Sequence, residues 1–188
     1  MRKRRSSGRL ENEKFPAQAS LDRAPGASFI IQRFEGLTML PIKLILCPTD
    51  FSGPSETCVR TAAELAEHFG AELLLVNVVP AVPSLPPDPN YVFKIPEYER
   101  YLHADAEQHL RKAREELVGK NVKVRTQVGH GSAADEIVLI AKADKVDLIV
   151  ISTHGSTGLE RWVFGSVAEK VVRLAECPVL TVRQEKGD

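Results

Sequence analysis

From Ile42 to Arg183 the sequence alternates short apolar runs with longer stretches of helical period, and that alternation leaves few folds open. IKLILCP (Ile42–Pro48), ELLLVNVV (Glu72–Val79), Asn121–Val128, DLIVIS (Asp147–Ser152) and PVLTVR (Pro178–Arg183) all have strand length. Most are near-continuously apolar, the pattern of strands buried on both faces of a parallel sheet. Between the first two, the spacing predicts a helix over 54–69, with Pro54 in its first turn, Gly70 closing it and Val59, Ala62, Ala63, Ala66 and Phe69 on one stripe. A charged amphipathic helix is expected at about 97–118, ending near Gly119. Ser132 and Asp135 open the next helix in an S-x-x-D capping pattern, with Ile137, Ile140 and Ala141 on its buried face, and Ser166 begins the last, which runs to about Ala175. Strands joined by helical crossovers of this kind give a doubly wound α/β fold: a five-stranded parallel sheet with helices on both faces.

Two stretches interrupt the pattern. Residues 80–96 carry Pro80, Pro83, Pro86, Pro87, Pro89 and Pro96, a density that predicts a long loop. Residues 1–38 are polar without an apolar period and hold eight basic against four acidic residues, so they read as a disordered basic extension before a single domain at 39–188. The body is left mildly acidic, with 17 basic and 21 acidic residues, and the cluster Arg2–Arg5 has no interleaved aromatics; sequence-specific nucleic-acid binding is therefore not expected. Phe29-Ile30-Ile31 is far shorter than the ~20 apolar residues of a membrane span, and no apolar signal region follows Arg5. Cys47, Cys58 and Cys177 are too scattered for a zinc motif, so no residue is assigned to a metal. Cys47 and Cys58 read as inert core residues, Cys177 as more exposed.

Ligands of such sheets bind at the carboxyl ends of the strands, where the strand order reverses. Two loops leave strand ends with suitable chemistry: Pro48-Thr49-Asp50-Phe51-Ser52 after the first strand, and the glycine-rich 153–165 after the fourth. Gly155 and Gly158 permit close backbone approach to an anion, and Gly165-Ser166 lies where a helix begins, with unpaired N–H groups and a positive dipole end. Asp50 stands where it can accept from ribose hydroxyls or hold a metal through water. Each residue also has a structural reading. Ser166 with Glu169 forms a capping box, Asp50 an Asx turn, and the glycines serve turn geometry.

The run THGSTGLERWVFGSVAEKVVRLAECPVLTVR, with ILCPTDFS and LLLVNVV before it, resembles the universal stress protein family over residues 42–183. The resemblance implies an adenine nucleotide alpha-hydrolase-like (HUP-type) sheet and a homodimer formed through the last strand, 178–183. It also implies ATP as ligand, with Mg²⁺ as a further candidate. The ATP-binding branch carries G-x2-G-x9-G-[S/T]; here Gly155, Gly165 and Ser166 match, while Ser152 replaces the first glycine and adds a Cβ there. Carried across, Pro48, Thr49 and Asp50 would frame the adenosine, Val78 and Ile151 would line the base, and Gly155, Gly165, Ser166 and Val167 would hold the phosphates. The leading expectation is a cytoplasmic, ATP-occupied regulatory module of the stress response. A slow ATP hydrolase is a second reading, although no GxxxxGK[ST] loop or dedicated base is present. A nucleotide-free scaffold with a vestigial pocket is the third, and Ser152 fits it.

Overall fold

The computed structural model describes residues 41–82, 95–153 and 165–183. The expectations for residues 1–38, for the centre of the proline-rich loop and for Gly155 and Gly158 lie outside those residues. Among the described residues five strands and four helices alternate: β1 (Leu44–Pro48), α1 (Gly53–Phe69), β2 (Glu72–Val79), α2 (Ile95–Leu117), β3 (Val124–His130), α3 (Ala133–Ala143), β4 (Leu148–Ser152), α4 (Ser166–Leu174) and β5 (Val179–Val182). The strands form one sheet in the order β3-β2-β1-β4-β5, and every pairing is parallel.

The apolar runs are continuous because successive residues serve two cores. Ile45, Cys47, Leu73, Leu75, Leu148 and Val150 point to the face covered by α1 and α2, where they meet Val59, Ala62, Ala66 and Leu110. Leu46, Leu74, Val76, Ile149, Ile151 and Val179 point to the other face, under Ile137, Ile140 and Ala141 of α3 and Ala168 and Val171 of α4. One carboxylate ties the central strands together: Asp147 Oδ2 accepts from the backbone N–H groups of Lys43 (2.8 Å) and Leu44 (2.9 Å), more than a hundred residues earlier.

Three boundaries differ from the sequence reading, each for a local reason. α2 starts at Ile95 and takes in Pro96, since a proline in a first turn gives up no helical hydrogen bond. β3 begins at Val124, where pairing with Leu73 starts, and it runs through Gly129 to His130. Gly129 does not break this strand. The Glu136 side chain lies over it, and a Cβ there would come within 2.5 Å of Glu136 Cγ. Ser132 is the N-cap of α3 by position, but its hydroxyl makes no capping bond to the helix and serves Asp135 instead.

β5 is a sheet edge. Thr153 N–H donates to Val182 O (2.9 Å) and Ile149 N–H to Pro178 O (3.0 Å). Polar groups of alternate residues face opposite sides of a strand, so those of Val179 and Thr181 face the open edge. The Thr181 side chain is itself 1% exposed, and its hydroxyl has no hydrogen-bond partner among the described residues. Thr181→Val replaces that orphan hydroxyl with a methyl of the same shape. It is expected to stabilise the fold by about 1 kcal/mol, read as a rise in Tm of about 2–4 °C.

Candidate functional site

The chain steps from β1 outward to β2 and β3, then returns to the other side of β1 for β4 and β5, so the order reverses between β1 and β4. At the carboxyl ends of those two strands opens a cleft of about 300 Å³. Pro48, Thr49 and Asp50 form one wall, and Ile151 and Ser152 the other. Val76, Asn77 and Val78 extend it along β2, Ala133 and Ile137 close it from α3, and Gly165, Ser166 and Val167 bring in the start of α4.

The β1 wall is held by hydrogen bonds on every side. Thr49 N–H donates to Val76 O (2.8 Å), Asn77 Nδ2 donates to Thr49 O (2.8 Å), and the hydroxyls of Thr49 and Ser55 lie 3.0 Å apart. Asp50 is exposed at the rim, and its Oδ1 accepts from the backbone N–H (3.1 Å) and hydroxyl (2.5 Å) of Ser52. That is an Asx turn leading into α1, as the structural reading had it. Phe51, next along, has φ +62°, a left-handed backbone that costs a non-glycine residue about 1 kcal/mol or more. Its ring packs against His109 of α2 with centroids 5.1 Å apart.

The α4 wall supplies the positive end. Gly165 N–H donates to Thr153 O (2.8 Å), and a Cβ on Gly165 would lie 3.3 Å from that same oxygen, so glycine lets the helix start close against β4. Gly165, not Ser166, is the N-cap, and among the described residues no side chain caps the helix. The capping-box reading of Ser166 is thereby corrected: Ser166 is the first helical residue, exposed, and its hydroxyl makes no cap. Glu169 N–H already binds Gly165 O (3.0 Å), so the groups available to an anion are those of the first helical residues. Across the cleft α3 and α4 are joined by Lys170 Nζ and Asp135, 2.7 Å apart, and Lys170 together with the Ser132 hydroxyl holds the Asp135 carboxyl below its usual range.

The sheet order and the cleft match a known architecture, and so does the sequence: the model of the Universal stress protein family matches residues 41–183. The chain belongs to the universal stress protein family. It is 37% identical over 148 residues to Universal stress protein MJ0531 of Methanocaldococcus jannaschii, covering 78% of this chain and 85% of that one. Universal stress protein UspA from Lactobacillus plantarum has the same fold at a TM-score of 0.66 and 25% identity, covering 76% of this chain and 98% of that one. A universal stress protein from Archaeoglobus fulgidus, solved in complex with dAMP, matches at a TM-score of 0.53 over 75% of this chain and 97% of that one. At 22% identity that likeness is one of fold.

Within this universal stress protein fold, Pro48, Thr49, Asp50, Val78, Ile151, Ser152, Gly165, Ser166 and Val167 all line the one cleft. Gly155 lies outside the described residues. Sequence reasoning missed Ser55, Val76, Asn77, Ala133, Ile137 and Ala168. Asn77 had a signal, as the one polar residue within the apolar run Leu73–Val79. Ala133 and Ile137 had none, because α3 reaches the cleft only through the strand order. The cysteines lie outside the cleft lining. Cys47 and Cys58 are fully buried with sulfurs 3.8 Å apart, and the hydrogen bond from Cys47, then burial, push the Cys58 thiol up. Cys177 is half-buried rather than open, and burial pushes its thiol up to about 11, so little of it is thiolate at neutral pH.

Proposed function

We propose that this protein is an adenine-nucleotide-binding regulatory module, with ATP as its ligand. The observation that carries the reading is the convergence in one cleft of an apolar wall, a carboxylate and a helix amino end that no described side chain caps. The purine would lie against Val78 and Ile151, and Asp50 would accept from the ribose hydroxyls. The phosphates would sit at Gly165, Ser166 and Val167, with Gly155 reaching them from the loop. A magnesium ion would enter on the phosphates, within reach of Asp50 through water, and would supply charge neutralisation. Occupancy is the proposed mechanism: nucleotide favours one arrangement of the cleft rim, by no more than its differential affinity for the two arrangements. A second copy is proposed to pair along the open edge of β5, residues 178–183, where the backbone groups of Val179 and Thr181 are on offer. A cytoplasmic setting goes with this reading.

Two measurements test it together. Freshly purified protein is denatured and the released nucleotide identified by chromatography, and nucleotide-free protein is titrated calorimetrically with ATP, ADP and adenosine, with and without Mg²⁺. Adenine nucleotide at one per chain, and a dimer mass by light scattering, are the expected results. No released nucleotide and no heat at millimolar ATP would overturn the reading in favour of a scaffold, and recovery of binding by Ser152→Gly would then show that the pocket is vestigial.

A further inference from the structure

Away from the cleft, at the outer edge of the sheet, two imidazoles meet. His103 lies on α2 and His130 is the last residue of β3, and His103 Nδ1 stands 3.2 Å from His130 Nε2. The rings are nearly parallel, 8° apart in plane, with centroids separated by 5.2 Å, so the two nitrogens face one another along an edge-to-edge approach. Two metal–nitrogen bonds of about 2.0–2.1 Å at a tetrahedral angle place their nitrogens about 3.3 Å apart. The pair therefore already has the spacing of two imidazoles on one ion; moving the His130 proton from Nε2 to Nδ1 and a modest tilt of two partly exposed rings turn both lone pairs toward it.

A carboxylate stands behind the pair. Glu107, one turn along α2, has Oε1 3.3 Å from His103 Nε2. An acceptor there keeps the His103 proton on Nε2 and leaves the Nδ1 lone pair facing His130, the arrangement in which a carboxylate orients and strengthens a metal-binding histidine. Arg111 lies 3.8 Å from the other oxygen of Glu107 and steadies it. Among the described residues no three His, Cys, Asp or Glu side chains are grouped to hold an ion, so water would complete the coordination.

We infer that His103 and His130 form a two-imidazole site for a divalent transition-metal ion of the zinc, copper or nickel class, with Glu107 as the positioning residue behind His103. Imidazole donors select these borderline ions over Mg²⁺ and Ca²⁺, which prefer oxygen. Bound metal would bolt α2 to the end of β3, replacing a hydrogen bond by two coordinate bonds. The inference stands apart from the nucleotide reading: it uses other residues and is tested without nucleotide.

The test is a thermal melt of the full chain, stripped with chelator and then given Ni²⁺, Zn²⁺ or Mg²⁺. Ni²⁺ or Zn²⁺ at about a hundredfold excess over its Kd should raise Tm by about 5–10 °C, while Mg²⁺ should leave it unmoved. His103→Gln and His130→Gln should each abolish the shift, His109→Gln should retain it, and Glu107→Gln should weaken Ni²⁺ affinity about tenfold or more. Each variant's Tm in chelator establishes that it is folded. A Ni²⁺ shift that survives His130→Gln, or no shift in the parent protein, overturns the inference.

Discussion

Ser166→Glu is expected to weaken ATP binding at least tenfold while leaving Tm unchanged or raising it. The two effects part because one charge acts on two partners. At the amino end of α4, whose N-cap is Gly165, a carboxylate meets the positive end of the helix dipole. A charge placed there contributes about 0.3–1 kcal/mol to stability. The same carboxylate would stand where the phosphates are proposed to lie. Two like charges about 6 Å apart repel by roughly 0.7–3 kcal/mol between bulk water and a protein-surface dielectric, and a triphosphate offers several such pairs. Every 1.4 kcal/mol is tenfold in Kd. Adenosine, which lacks phosphate, should bind the variant nearly as it binds the parent, and the ATP penalty should shrink as salt is added. Calorimetric titration and a melt of the same samples read both quantities. Equal ATP affinity in parent and variant would remove the phosphates from α4.

That separation depends on a detail the sequence did not disclose. Ser166 and Glu169 have capping-box spacing, and spacing alone places the serine at the N-cap. The helix starts one residue earlier because Gly165 can pack against Thr153 O, a contact made across the sheet and invisible in a local pattern. The same holds for Asp147: nothing in DLIVIS announces that its first residue collects two N–H groups from the start of β1. Where local chemistry governs, the reading was close. Gly70 caps α1 in the left-handed conformation at φ +63°, and Glu72–Val79 is a strand from end to end. The position of the cleft was legible because parallel strands deliver their carboxyl ends to one side. That α3 also closes it was not, since the order β3-β2-β1-β4-β5 is settled by packing between segments far apart in the chain.

Ile149→Ala is expected to cost about 2–5 kcal/mol, the range for truncating a large buried aliphatic side chain, and thus a large share of the 5–15 kcal/mol a domain commonly has. Ile149 is fully buried in β4, beside Leu46 of β1 and Val179 of β5, on the face covered by α3 and α4. Its neighbours on both sides are strand residues held in register, so the space left by the missing atoms has little freedom to collapse. Ile149→Val removes one methylene and should cost about 0.5–1.5 kcal/mol. The larger change also tests whether the two cores stand or fall together. Val150, the next residue, belongs to the opposite core with α1 and α2, and both cores draw buried residues from the same four strands, β1, β2, β4 and β5. A cavity on one face therefore has to destabilise the other. Urea unfolding followed by backbone circular dichroism and by the accessibility of the Cys47 and Cys58 thiols, buried in the core under α1 and α2, should give one coincident transition, displaced to lower urea with its slope unchanged. Two separate transitions in the variant would mean that the faces of this sheet unfold as independent units.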